Sequence, residues 1–177
     1  MQGLPVVAAG GDGGRVPRLR FLPLALLALA APAAAQRQSL GVFGNWAAFR
    51  DPGRCYAIAA PVAGPQAEGW RPFFSIGHWT ARGLGGQIHV RLSRAKRDGS
   101  AVLARIDGQS FQLVGRSRDA WAPDGRADEA LMRAMRTGID MIVETRAANG
   151  ARFRDAYQLR GAASAIDAAA LACLPPR

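Results

Sequence analysis

The chain has 177 residues, with 23 Lys+Arg against 13 Asp+Glu, two His and two Cys. That length suits one ordinary domain, and 49% apolar with 20% charged residues excludes wholesale disorder. Four Cys and His residues in total, at no zinc-ligand spacing, leave neither a metal site nor a cofactor to expect.

Arg15, Arg18 and Arg20 precede the apolar run Phe21–Ala30, and Ala31-Pro32-Ala33-Ala34-Ala35 follows it. A basic n-region, an apolar stretch of about ten residues and an A-x-A site form the layout of a secretory signal peptide. The stretch is shorter than the roughly 20 apolar residues of a membrane span, so no transmembrane segment is expected once it is removed. Cleavage after Ala35 leaves Gln36 first, with no Cys beside it to carry a lipid. Met1–Gly14 holds no basic residue and adds nothing to such a signal, which points to a true start near Val16. The expectation is a signal peptide over 1–35 and a single β-rich domain over 36–177, periplasmic or secreted from a bacterium. Without Arg15, Arg18, Arg20 and Asp12 the remainder has 20 basic and 12 acidic residues, net +8. A cationic surface of that size is attracted to anionic envelope glycans or lipid headgroups.

Turn signals at β-protein spacing divide the remainder. Asn45–Arg50 and Cys55–Ala59 read as strands joined at Asp51-Pro52-Gly53. A Pro/Gly-bearing loop over 61–71 precedes the aromatic strand 72–80, and Gly83, Gly85 and Gly86 mark a bend. In 87–93, Ile88, Val90 and Leu92 face one way and Gln87, His89, Arg91 and Ser93 the other. Asp98-Gly99 and Asp107-Gly108 read as hairpin turns around strands 101–106 and 110–114. A helix then starts at the N-cap Asp124, carries Ala127, Leu131 and Met135 on one stripe, and ends at Gly138 as a C′ glycine. Strands 139–146 and 152–159 flank Asn149-Gly150. Ser164-Ala165-Ile166-Asp167 reads as a capping box opening a second short helix, stopped by Pro175-Pro176.

Little in this pattern carries chemistry. His89 reads as a lone exposed imidazole, and His78, beside Trp79, as a partly buried, hydrogen-bonded one. Ser75 and His78 lie on opposite faces of an extended strand, and no G-x-S-x-G elbow surrounds the serine. Asp155 shares an apolar stripe with Phe153, Tyr157 and Leu159, so it reads as a core carboxylate with no visible partner acid. Arg91, Arg94, Lys96 and Arg97 surround the Asp98-Gly99 turn and form the candidate anion-binding cluster. No aromatic interleaves with them as nucleic-acid stacking needs, so no nucleic-acid partner is expected. Cys55 and Cys173, exported to an oxidising compartment, allow one pairing. A disulfide between them pins the terminal helix to the first hairpin.

The order of features is similar to a known family. Asn45-Trp46, an early Cys55, Trp121-Ala122-Pro123-Asp124 and Ala134-Met135-Arg136-Thr137-Gly138 are followed by Tyr157-Gln158-Leu159-Arg160-Gly161, then Ala165-Ile166-Asp167-Ala168 ending at Cys173. Over most of 36–177 the chain resembles the invasion-associated locus B family of small bacterial envelope proteins. The resemblance implies an exported, β-rich, non-enzymatic protein, with the family's founding association being entry into host cells. It carries over no catalytic residue.

The expected fold is mainly β, an antiparallel β-sandwich-like domain with two short helices. The expected function is that of a non-enzymatic envelope protein acting by binding. The alternative is a periplasmic binding or inhibitor-like module for an anionic glycan or lipid, and an uncharacterised hydrolase built on His78 or Asp155 comes third.

Overall fold

The computed structural model describes residues 36–62, 70–80 and 83–174. The expected signal peptide, the middle of the 61–71 loop and Pro175-Pro176 lie outside the described residues.

Among the described residues, ten strands form one antiparallel sheet in the order β1-β2-β3-β4-β5-β8-β7-β6-β9-β10. They are β1 (Gln38–Phe43), β2 (Trp46–Asp51), β3 (Arg54–Ala59), β4 (Phe73–Trp79), β5 (Leu84–Arg91), β6 (Val102–Ile106), β7 (Gln109–Arg116), β8 (Asp119–Trp121), β9 (Asp140–Arg146) and β10 (Arg152–Gln158). The alternation read in 87–93 sets the faces. Ala48, Ala57, Ile76 and Ile88 lie in register across β2 to β5 on one side, all buried, with Phe74 and Val90 beside them. Burying each larger aliphatic side chain stabilises the fold by roughly 1.5–3 kcal/mol.

The sheet curls until its two ends meet. Phe74 on β4 packs edge-on against Tyr157 on β10, with ring centres 5.8 Å apart, and the Trp46 indole donates to the Gln158 carbonyl at 3.0 Å. Backbone bonds from Asn45 to Arg160 and from Val62 to Ala156 join the same two ends. The sandwich-like core therefore comes from one sheet folded over itself.

The Asp107-Gly108 turn is a true β6–β7 hairpin, with positive φ at both residues (45° and 82°) as a primed turn requires. Asp98-Gly99 is not a hairpin. β8 occupies the position beside β5, and β6 pairs instead with β7 and β9. The segment between β5 and β6 runs past both, bonding Leu92 and Lys96 to the carbonyls of Arg118 and Ser117 and Arg97 to that of Arg146. β1 and β8 escape sequence reading because β1 is irregular at Ser39/Gly41 and β8 has three residues.

Helix α1 (Gly125–Thr137) begins as expected, the Asp124 carboxylate accepting from the Ala127 N–H, and buries Leu131 and Met135. Asp128 on its exposed-to-sheet side accepts the β5 Ile88 N–H at 2.8 Å, which fixes the helix to the sheet. Gly138 does cap this helix, but in extended conformation (φ −74°) rather than as a left-handed C′ residue. Its role is space: a Cβ there would lie 2.5 Å from Ile106 and 2.9 Å from Leu159. Helix α2 (Ala162–Ala172) starts earlier than the Ser164 capping box suggested. Gly161, at φ 91°, is its N-cap, and a Cβ there would overlap the Phe43 carbonyl, so the chain turns into the helix before Ser164 is reached. Asp167 is left free to bind Arg136 of α1 at 2.7 Å. Helix α2 lies across β1 to β4, and the Cys55–Cys173 disulfide ties its end to β3 with a Cα separation of 5.7 Å, as expected.

Candidate binding face

The residues alternating with the buried set project from the other side of β2 to β5 and β8. There, aromatic rings and guanidinium groups interleave. Arg37 lies over the rings of Phe49 and Tyr56, at 5.6 and 5.8 Å, and Arg54 lies over Tyr56 and Trp79, at 4.8 and 5.4 Å. Across the face, Arg91 lies over Phe73 and Trp70, and Arg118 over Trp70 at 4.2 Å. The His89 ring stacks parallel on Trp121, with centres 5.2 Å apart and planes within 4°, and meets Phe73 edge-on.

Each row has its own carboxylate. Asp51 accepts from Arg37 and Arg54, and the hydrogen bond from Arg37 holds its carboxyl below the ordinary carboxylate range in spite of partial burial. Asp119 accepts from Arg91 at 3.3 Å and meets His89 Nε2 at 2.8 Å. The expectation of a lone exposed His89 is therefore corrected, because β8, not visible in the sequence, brings Asp119 and Trp121 alongside it.

Between the rows lies a trough of about 290 Å³. Its floor is made of Ser75, Gly77, Ile58 and Gln87, and its walls of Tyr56 with Trp79 on one side and His89 with Trp121 on the other. Register places Gly77 between Tyr56 and Gln87. A Cβ on Gly77 would reach only ordinary contact, 3.4 Å from the Trp79 indole nitrogen, so the glycine leaves the floor low. The Ser75 hydroxyl donates to the His89 carbonyl at 3.2 Å.

The expected cationic cluster does not assemble at one tip. Arg91 belongs to the aromatic face, Arg94 is exposed, and Lys96 is buried with Nζ donating to the Arg97 carbonyl at 3.0 Å. An isolated bridge between Lys96 and Ala147 draws this segment against β9. Arg97 is thereby brought to the β9–β10 turn, its guanidinium lying beside Gly150. Arg146 and Arg152 stand directly opposite each other there, and with Arg105 they line a second cleft of about 290 Å³. Glu144, the acid of that cleft, bridges Arg105 and Arg154 and is held below its ordinary range by the hydrogen bond from Arg105.

His78 and Asp155 point inward. His78 Nδ1 accepts the Gly86 N–H at 3.2 Å, and burial lowers its pKa, favouring the neutral ring. It borders a cleft of about 600 Å³ that also touches Arg50 and Cys173. Asp155 has no exposed surface. One of its oxygens accepts the Ser93 N–H at 2.9 Å, and burial pushes its pKa up. Its other oxygen and the Tyr157 hydroxyl are buried without a hydrogen-bond partner among the described residues. Among the described residues no three His, Cys, Asp or Glu side chains gather as a metal site, and no helix is long and apolar enough to cross a membrane.

No family model, curated protein or solved structure matches the chain.

Proposed function

We propose that this chain is an exported, non-enzymatic envelope protein of the kind its resemblance to the invasion-associated locus B family implies, and that it acts by binding through the outer face of β2 to β5 and β8. The observation that supports this is the trough: partly exposed aromatic rings, Trp121 the most open of them, interleaved with arginines and carboxylates around a surface hollow. Two features support binding over hydrolysis. His78 and Ser75 face opposite ways, and the Ser75 hydroxyl, although opposite the Asp119-paired His89 in register, donates to the His89 backbone carbonyl. Hydroxyl-radical footprinting of the purified protein, alone and with isolated bacterial envelopes, tests the reading. Protection confined to Trp79, Trp121 and Phe73 is the expected result, and uniform labelling of that face in both samples refutes it. Export is tested separately. The proposal requires a periplasmic or secreted product beginning at Gln36, and a cytoplasmic product retaining residues 1–35 rejects it.

A second reading, a module for an anionic glycan or lipid, is favoured by the Arg97, Arg105, Arg146 and Arg152 cluster. Two arginines directly opposed across β9 and β10 repel, and a bound anion relieves that repulsion. Retention on anionic polysaccharide that vanishes as salt is raised supports it. Retention unchanged in an Arg146→Ser/Arg152→Ser variant overturns it.

A further inference from the structure

We propose that the trough takes a neutral saccharide ring of an envelope glycan, seated over Gly77 between Trp79 and the stacked His89–Trp121 pair. This rests on the reading of that face as the binding surface and adds the chemical class of the ligand. A pyranose has two kinds of surface, flat C–H faces that are apolar and an equatorial rim of hydroxyls. It is matched by a site with aromatic planes for the faces and fixed donors and acceptors for the rim. The trough supplies both. Its walls are aromatic, Trp121 remains 37% exposed, and Gln87, Arg54, His89 and Asp119 surround the rings with amide, guanidinium, imidazole and carboxylate groups.

Charge selects a neutral ring over an acidic one. Beside the trough Arg37 and Arg54 contact Asp51 and Arg91 contacts Asp119, while Arg118, over Trp70, stands outside the trough lining. A ligand carboxylate would have to displace Asp51 or Asp119 or lie against them. The cluster around Arg146 and Arg152 differs, since among the described residues its opposed pair contacts no carboxylate.

The floor makes size part of the selection. Gly77 is the one position on its strand where a side chain would rise between Tyr56 and Gln87, and its backbone does not require glycine. A valine there puts its branch methyls into the trough, beside the irregular step between Gly77 and Trp79. Lost binding in a Gly77→Val protein that stays folded assigns the floor role, and Gly77→Ala, whose Cβ lies 3.4 Å from the Trp79 indole nitrogen, is the second variant should valine unfold the chain.

The test is two-dimensional NMR of the four tryptophan indole N–H groups in the purified, disulfide-bonded full chain. Neutral hexaoses of glucose, mannose and N-acetylglucosamine are titrated separately, with hexagalacturonate as the acidic counterpart. The expected result is saturable movement of the Trp79 and Trp121 signals with at least one neutral hexaose. The Trp46 and Trp70 indoles, bonded to the Gln158 and Leu92 carbonyls, stay still and serve as internal controls. Affinity should change less than about twofold between about 50 and 500 mM salt, and fall at least about tenfold in Trp121→Ala and in Gly77→Val. Trp121→Phe should restore most of it. Movement of the Trp79 and Trp121 signals by hexagalacturonate alone overturns the ligand class while keeping the face as a binding surface. Signals unmoved by every saccharide and by isolated envelopes overturn both.

Discussion

The two faces of β2 to β5 are made from alternate residues of the same strands, yet they obey different rules. The inner face is dry, with Ala48, Ala57, Ile76 and Ile88 in register beside the buried rings of Trp46 and Phe74, under α2 on β2 to β4 and under α1 on β5. The outer face also carries rings but adds nearly all the charge, and keeps a trough open. Apolar area stabilises a fold when water is excluded from it. On the outer face the rings instead pair with one another and with guanidinium groups whose own hydrogen bonds end on Asp51 and Asp119. Inner-face changes should therefore reduce stability, and outer-face changes should reduce binding while leaving stability almost unchanged.

The largest expected effect is on the disulfide. Cys55 and Cys173 are 118 residues apart in sequence, so opening the bridge with a double Ser substitution should destabilise the protein by about 5 kcal/mol in the chain-entropy model. Urea denaturation measures this, and a loss below about 1 kcal/mol would show that α2 docks without the bridge. Next comes Gly161→Ala, where a Cβ would overlap the Phe43 carbonyl in left-handed backbone. A loss of about 2–4 kcal/mol is expected, read the same way.

Asp155→Asn sharpens the comparison through pH. Burial raises the folded-state pKa of Asp155 above its unfolded value. Between those two values the folded state binds more protons than the unfolded state. Stability therefore falls as pH rises from about 4, the ordinary Asp value, through the folded pKa, and the deficit persists above it. Asn still accepts the Ser93 N–H but cannot ionise, so it should flatten this limb and raise stability at pH 7 relative to the parent chain. Asp51, Glu144 and Asp167, all lowered by arginine hydrogen bonds, work the other way. The stability they add is present above their unfolded pKa and is lost as pH falls through their folded values. Chemical denaturation across pH in both chains checks the sign, and parallel profiles would reject a buried, titrating Asp155.

The smallest stability effect belongs to Arg146→Ser/Arg152→Ser. Removing two opposed like charges should change stability by less than about 1 kcal/mol, in the stabilising direction, while weakening salt-dependent retention on anionic polysaccharide. A clear loss of stability would mean that the outer surface of β9 and β10 supports the fold after all.

Local sequence by itself determined the elements with regular alternation or strong end signals. Ile88-His89-Val90 declared its faces, Asp124 its helix start, and Asp107-Gly108 and Asn149-Gly150 their hairpins, because these rest on contacts a few residues apart. The disulfide was legible for a different reason, two cysteines admitting one pairing. Tertiary structure alone decided which strands are neighbours, and with that the site. Inserting three-residue β8 beside β5 turned the Asp98-Gly99 region from a hairpin into a crossing segment, buried Lys96, and sent Arg97 to Arg146 and Arg152. The same insertion gave His89 its carboxylate and its stacking partner, both about thirty residues away in sequence. Strand order depends on which pairing buries the most apolar surface with every backbone group satisfied. That sum runs over the whole sheet, so no local window of residues contains it.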